Sequence, residues 1–211
     1  LYLSKNIIIR NIDIYAHGHN NDGIDPEMSQ NILIEHCHFD QGDDAVAIKS
    51  GRNPEGWRLK TPSKNIVIRD CIMKNGHQLL AIGSELSGGI ENILVDNCVA
   101  GEGTKLMHLL FIKTNERMGG YVKNVHFKNI TAHNIQDGIL GIDTDVLYQW
   151  RTLVPTRIKK VTPIEGIFLE NVHANKAKFI SKINGNAAAP ANDIILDNVT
   201  LLEASEEKIQ N

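Results

Sequence analysis

Asp22 stands in the run Asn20-Asn21-Asp22-Gly23-Ile24-Asp25, and Asp43-Asp44 form an adjacent acidic pair behind Gly42. All three carboxylates fall at turns beside β-patterned segments, where a packed core has no use for a charge. Carboxyls facing one cleft are what cleavage of a glycosidic bond requires: an acid protonates the leaving oxygen and a base activates water. Asx-rich turns also use Asp and Asn simply to bond their own backbone. Either motif alone is therefore ambiguous, and their placement within the chain has to decide.

That placement is set by a repeat. Asn-Ile-Ile-Ile-Arg-Asn-Ile at 6–12 returns as Asn-Ile-Leu-Ile-Glu-His-Cys at 31–37, Asn-Ile-Val-Ile-Arg-Asp-Cys at 65–71 and Asn-Ile-Leu-Val-Asp-Asn-Cys at 92–98. Looser copies start at Asn124, Gly166 and Asp193, and successive starts lie 25, 34, 27, 32, 42 and 27 residues apart. Repeats of this period indicate a solenoid. β-branched residues alternating at period two indicate strands, with Ile7 and Ile9 on one face and Ile8 on the other. Constant strands with variable spacing fit a parallel β-helix of about seven coils, stacked ~4.8 Å apart with insertions bulging as loops. Ile12, Cys37, Cys71, Cys98, Ile130, Val172 and Val199 then share one column, where cysteine acts as a small hydrophobe. The Asn heading most copies fits turn bonding or an asparagine ladder.

A second strand aligns Ala47-Ile48-Lys49-Ser50, Ala81-Ile82-Gly83-Ser84 and Phe111-Ile112-Lys113-Thr114, with echoes at Gly141-Ile142-Asp143 and Phe179-Ile180-Ser181. Asp22, Asp43-Asp44 and His77 precede this strand in successive coils, and Lys113 lies on it. Residues distant in sequence thereby converge on one exposed face.

Bulk properties exclude several classes. Of the 211 residues, 42% are hydrophobic and 22% charged, an ordinary folded composition. A net charge of −3 lacks the basic excess of a nucleic-acid surface. No apolar run approaches the ~18 residues needed to span a bilayer. Three cysteines without C-x-x-C or zinc-like spacing read as free buried thiols. His17 and His19 have no third ligand spaced to join them, so neither metal nor other cofactor is expected. Leu1 is not Met and strand pattern begins at once, so the piece is expected to be an N-terminally truncated part of a β-helix domain covering 1–211, monomeric, without membrane or nucleic-acid partners.

On these motifs the chain resembles glycoside hydrolase family 28, the pectin-degrading polygalacturonase family, from about Lys5 to at least Gly120. Asn20-Asn21-Asp22 matches the family's Asn-Thr-Asp, Asp43-Asp44 its Asp-Asp, Gly76-His77 its Gly-His-Gly, and Phe111-Ile112-Lys113 its Arg-Ile-Lys. Asp44–Arg52 and Ile82–Gly89 read like its bacterial members. The resemblance implies a right-handed single-stranded β-helix and inverting hydrolysis of pectic poly- or oligosaccharide, with an exo-acting member preferred. Asp43 would be the acid, Asp22 and Asp44 the base, and His77 would tune Asp43 or orient substrate. Asn20, Lys113 and Arg117 would bind substrate, Arg117 replacing the cation lost where Phe111 stands for Arg. Gln78 and Leu79 stand where the family has Gly. Asp25 is expected to serve the turn, and Trp57 in the insertion 51–62 either walls the pocket or lies in a solvated loop. A pectic substrate implies a secreted or periplasmic protein, a cytoplasmic enzyme for imported oligosaccharides being the alternative. Two rivals stand beside hydrolysis: a β-helix pectate-type lyase, which needs calcium, and a β-helix that binds carbohydrate without cutting it.

Overall fold

Period-two alternation gives each repeat one apolar face, and a face of Ile and Val is stable only when another coil covers it. The computed structural model describes residues 1–103, 105–146 and 156–210. The first coil holds β1 (Lys5–Arg10) and β2 (Asp13–Ala16), and the second β3 (Gln30–Glu35), β4 (His38–Gln41) and β5 (Val46–Ile48). A short helix, α1 (Asn53–Leu59), leads into the third coil of β6 (Ser63–Arg69), β7 (Ile72–Asn75) and β8 (Gln78–Gly83). The fourth comprises β9 (Ile90–Asp96), β10 (Val99–Ala100) and β11 (His108–Lys113). The remaining three pair β12 (Val122–Asn134) with β13 (Gly138–Asp143), β14 (Ile164–Ala177) with β15 (Phe179–Asn184), and β16 (Asn192–Ala204) with β17 (Ile209–Gln210).

Every one of these strands pairs in parallel with its equivalents in the neighbouring coils, forming an eleven-stranded sheet and the six-stranded sheet β5-β8-β11-β13-β15-β17. The molecule is thus a right-handed parallel β-helix. Ile7, Ile32, Ile66, Ile93, Val125, Ile167 and Ile194 are register partners. The five middle members of this column are buried, whereas Ile8 on the other face is exposed. Each fully buried Ile contributes roughly 1.5–3 kcal/mol of apolar transfer. The cysteine column forms as expected: the His38, Ile72, Val99 and Thr131 amides donate to Ile12, Cys37, Cys71 and Cys98 in turn, and the three thiols are free and buried.

The Asn residues at the repeat heads have a specific duty. Asn6, Asn31, Asn65, Asn92 and Asn124 all hold φ between +55° and +59°, a left-handed conformation that Asn tolerates better than other side-chain-bearing residues. Each of the last four then donates its side-chain amide to the Asn one coil before, at 2.8–3.1 Å. One residue therefore bends the chain and ties two coils.

The second sheet aligns Ile48, Ile82, Ile112 and Ile142 as inward neighbours. In the sixth coil the register differs from the sequence expectation by three residues. Lys182-Ile183-Asn184, not Phe179-Ile180-Ser181, lies beside Gly141-Ile142-Asp143, because Phe179 enters the sheet earlier, opposite Gly138.

The ladder gives a direct test. Asn65 bonds both neighbours and carries φ +55°. Asn65→Ala is predicted to cost about 1–3 kcal/mol in urea unfolding, and Asn65→Gly less, since Gly accepts the backbone angle and loses only the side-chain bonds. Equal costs would show that the left-handed conformation is not what Asn supplies.

Candidate active site

The turn entering the six-stranded sheet stacks from coil to coil like the strands themselves. The Asp43 amide donates to Asn21, the His77 amide to Asp43 and the Met107 amide to His77, at 3.3, 2.8 and 2.7 Å. The same lattice puts Asp44 beside Asp22, since the Gly23 amide donates to the Asp44 carbonyl at 2.9 Å. Three carboxylates and an imidazole from three coils thereby share one cleft of about 790 Å³.

Each carboxylate has a different partner. Asp43 Oδ1 lies 2.8 Å from His77 Nδ1. Asp22 accepts the Asp44 amide on Oδ1 and Lys49 Nζ on Oδ2, at 3.2 and 3.1 Å. Asp44 accepts Lys113 Nζ at 3.2 Å on Oδ2, while its Oδ1 is buried without a hydrogen-bond partner. Burial raises the Asp44 pKa to about 7, helped by Asp43 and Asp22 and opposed by Lys113. Asp25 is also raised by burial, against the pull of Lys49, whose Nζ lies 2.8 Å from its Oδ2. Burial alone would lower Lys49, but Asp25 and Asp22 outweigh it and hold the ammonium above the usual lysine range.

The expected site residues divide cleanly by position. Asn20, Asp22, Asp43, Asp44, His77 and Lys113 all line the cleft. Arg117 does not: Asn115 turns the chain after β11 by accepting the Arg117 amide, and the Arg117 guanidinium lies 3.8 Å from Glu116. Trp57 is also withdrawn from the cleft, its indole donating to the Met118 carbonyl and its ring covered by Lys160 at 4.0 Å. From that insertion Arg52 reaches the lining, paired with Glu85. His17 pairs with Asp40 at 2.7 Å, whereas His19 joins the lining.

Lys49 was missed, although the repeat carried the signal. It follows Ile48 as Lys113 follows Ile112, with Gly83 at the equivalent place between them. Gly83 has φ +89°, and a Cβ there would stand 2.2 Å from the Lys113 carbonyl oxygen. The absent side chain leaves the floor open between two ammonium groups. Asp25, read as a turn residue, also lines the cleft. A ligand atom from each of Asp43, Asp44 and His77 falls within 4.8 Å of the others, so these three are the described residues able to hold a cation.

The likenesses to known proteins agree with this geometry. A probable polygalacturonase of Vitis vinifera is 32% identical over 97% of this chain and 41% of its own length. An endo-polygalacturonase of Pectobacterium carotovorum subsp. carotovorum is 29% identical over 91% of this chain and 43% of its own. The crystal structure of a hyperthermoactive exopolygalacturonase from Thermotoga maritima superposes with a TM-score of 0.88 at 36% identity, covering 98% of this chain and 45% of that one. The chain thus spans less than half the length of these relatives. Residues 1–211 match glycosyl hydrolases family 28 throughout, and with its β-helix and carboxylate cleft the chain belongs to that family.

Proposed function

We propose that the protein is a polygalacturonase-type glycoside hydrolase that cleaves pectic galacturonan or its oligomers with inversion. The observation carrying this is the convergence of Asp22, Asp43 and Asp44 in one cleft with Lys113 beside them. Asp43, more open than Asp44 (side chain 17% against 3% exposed), protonates the glycosidic oxygen. His77 orients the Asp43 carboxyl through the 2.8 Å contact. Asp22 and Asp44 hold the attacking water and take its proton. Lys113 meets a uronate carboxylate as a point charge, and Asn20 supplies a polar edge. Three carboxylates this close do not all ionise together, so the acid proton belongs to the cluster rather than to one oxygen.

The likeness to an exopolygalacturonase over 98% of the chain supports an exo-acting variant. A polymeric substrate supports a secreted or periplasmic enzyme. Among the described residues no helix is long and apolar enough to cross a membrane.

Three outcomes test this reading. The full-length enzyme with polygalacturonate and chelator should release saturated galacturonate; unsaturated, calcium-dependent product would mean a lyase. Asp43→Asn should lower kcat by at least ~10³-fold, at the strong end of what general acids supply, with unfolding midpoints nearly unchanged. Because burial lifts Asp44, part of the base, to about 7, kcat/KM should rise as pH climbs towards about 7 and Asp44 ionises; a rate flat across that range would show that Asp44 is not part of the base.

The same shift makes a stability prediction. Asp44 is raised from 3.8 to about 7 in the fold, so the stability tied to its protonated form is complete below 3.8 and lost as pH climbs through about 7. Asp44→Asn keeps the neutral form at every pH. Relative to that variant, the wild type should lose on the order of 2–4 kcal/mol between acidic and mildly alkaline pH. Parallel unfolding curves for the two proteins across that range would show that burial does not hold Asp44 high.

A further inference from the structure

We propose that Lys49 is a positioning residue for hydrolysis: anchored by Asp25, it holds the Asp22 carboxylate in place against the attacking water. This role rests on the galacturonan-cleaving reading of the cleft, in which Asp22 and Asp44 share that water.

An aspartate needs such help. Its terminal torsion sits in a broad well, so a carboxylate held at one oxygen still swings. Asp22 is held at both: the Asp44 amide donates to Oδ1 at 3.2 Å and Lys49 Nζ to Oδ2 at 3.1 Å. The amide is rigid because it belongs to the stacked turn. Donors on opposite oxygens fix the carboxylate plane, and each oxygen keeps a second lone pair for a ligand. With 17% of its side chain exposed, Asp22 still opens on the cleft.

The lysine is the loose member of this arrangement, since a flexible four-carbon stem carries its ammonium. Asp25 removes that freedom by accepting Nζ on Oδ2 at 2.8 Å. Asp25 is itself held by the backbone around it, which runs beside β5. The Ile24 amide donates to Ala45, the Ala47 amide to Ile24 and the Lys49 amide to Pro26, at 3.0, 3.1 and 2.9 Å. Ile24 is buried, which turns its neighbour Asp25 outward by period-two alternation. Contacts therefore lead from a fixed strand through Asp25 and Lys49 to Asp22. Asp25 Oδ1 is buried without a hydrogen-bond partner, an arrangement that an Asx turn alone does not require.

The same contacts turn Lys49 away from the substrate's carboxylates. Of the three N–H donors of an ammonium, two go to Asp22 and Asp25. Glu27, paired with Lys49 across the backbone, feels the same charge. One ammonium among three carboxylates leaves no positive excess to draw a uronate. What it does there is keep Asp22 and Asp25 from repelling each other.

The test measures kcat and KM on trigalacturonate for the full-length wild type, Lys49→Met, Asp25→Asn and the double variant, per folded enzyme. Lys49→Met should lower kcat about 10- to 100-fold, the scale of a misplaced reacting group, with KM nearly unchanged. Adding Asp25→Asn to Lys49→Met should recover part of that loss, because it removes the charge that pushes Asp22 aside. If Lys49→Met does not fold, the double variant against Asp25→Asn alone should show the same fall in kcat at constant KM. A raised KM with kcat intact overturns the role by making Lys49 a substrate contact. An unchanged kcat, or a double variant no faster than Lys49→Met, overturns it as well. A wild type that cleaves no galacturonide overturns the reading of the cleft itself, and the wild-type arm alone tells that failure from the others.

Discussion

Everything in this molecule depends on coils keeping register, and register is held by a left-handed turn that recurs with the repeat. Asn6, Asn31, Asn65, Asn92 and Asn124 adopt φ near +57°, and each after Asn6 hands one amide hydrogen bond to the coil before. Each such bond nets only about 1 kcal/mol, far less than the apolar columns it aligns. Its importance is geometric. A slip of one residue would send the Ile66 column to solvent and the outer residues inward. Insertions of very different length between repeats change nothing in the column, because every coil restarts at the same fixed turn.

The same register builds the cleft. Asp22, Asp43 and His77 are more than 20 residues apart in succession, yet adjacent backbone bonds stack the turns that carry them. Stacking like charges in a half-buried place is costly, and the sheet limits that cost by interleaving ammonium groups: Lys49 below Asp22, Lys113 beside Asp44. Compensation is left incomplete at Asp44 Oδ1 and Asp25 Oδ1, both buried without a hydrogen-bond partner. Two buried carboxylate oxygens left without a partner in the cleft, above aliphatic columns, are where a fold gives up stability for chemistry.

Much of this is legible in the sequence alone. Strand repeats with β-branched alternation predicted the coils, the buried cysteine column and the asparagine ladder, because each depends on local pattern plus one rule of stacking. The carboxylates were legible for the same reason, lying at a constant offset from a repeated strand. What escaped were features where pattern and register part. In the sixth coil Phe179-Ile180 imitates the repeat, but Phe179 packs against Gly138 and shifts the true match three residues on. Arg117 was expected to replace the cation lost at Phe111, whereas the chain turns at Asn115 and Arg117 lies outside the cleft lining. Composition left Trp57 open between a pocket wall and a solvated loop; only tertiary contact shows it bonded to Met118 under Lys160.

The replacement of a cation by Phe111 acquires a meaning from the same columns. Phe111 instead stacks on His108, and the column it heads carries no side chain at Gly141 before presenting Lys182 two coils away. In a solenoid, where neighbouring coils add nearly identical surfaces, one column can change its side chain from coil to coil, from Phe111 to Gly141 to Lys182, without disturbing the carboxylates stacked in the turns beside it.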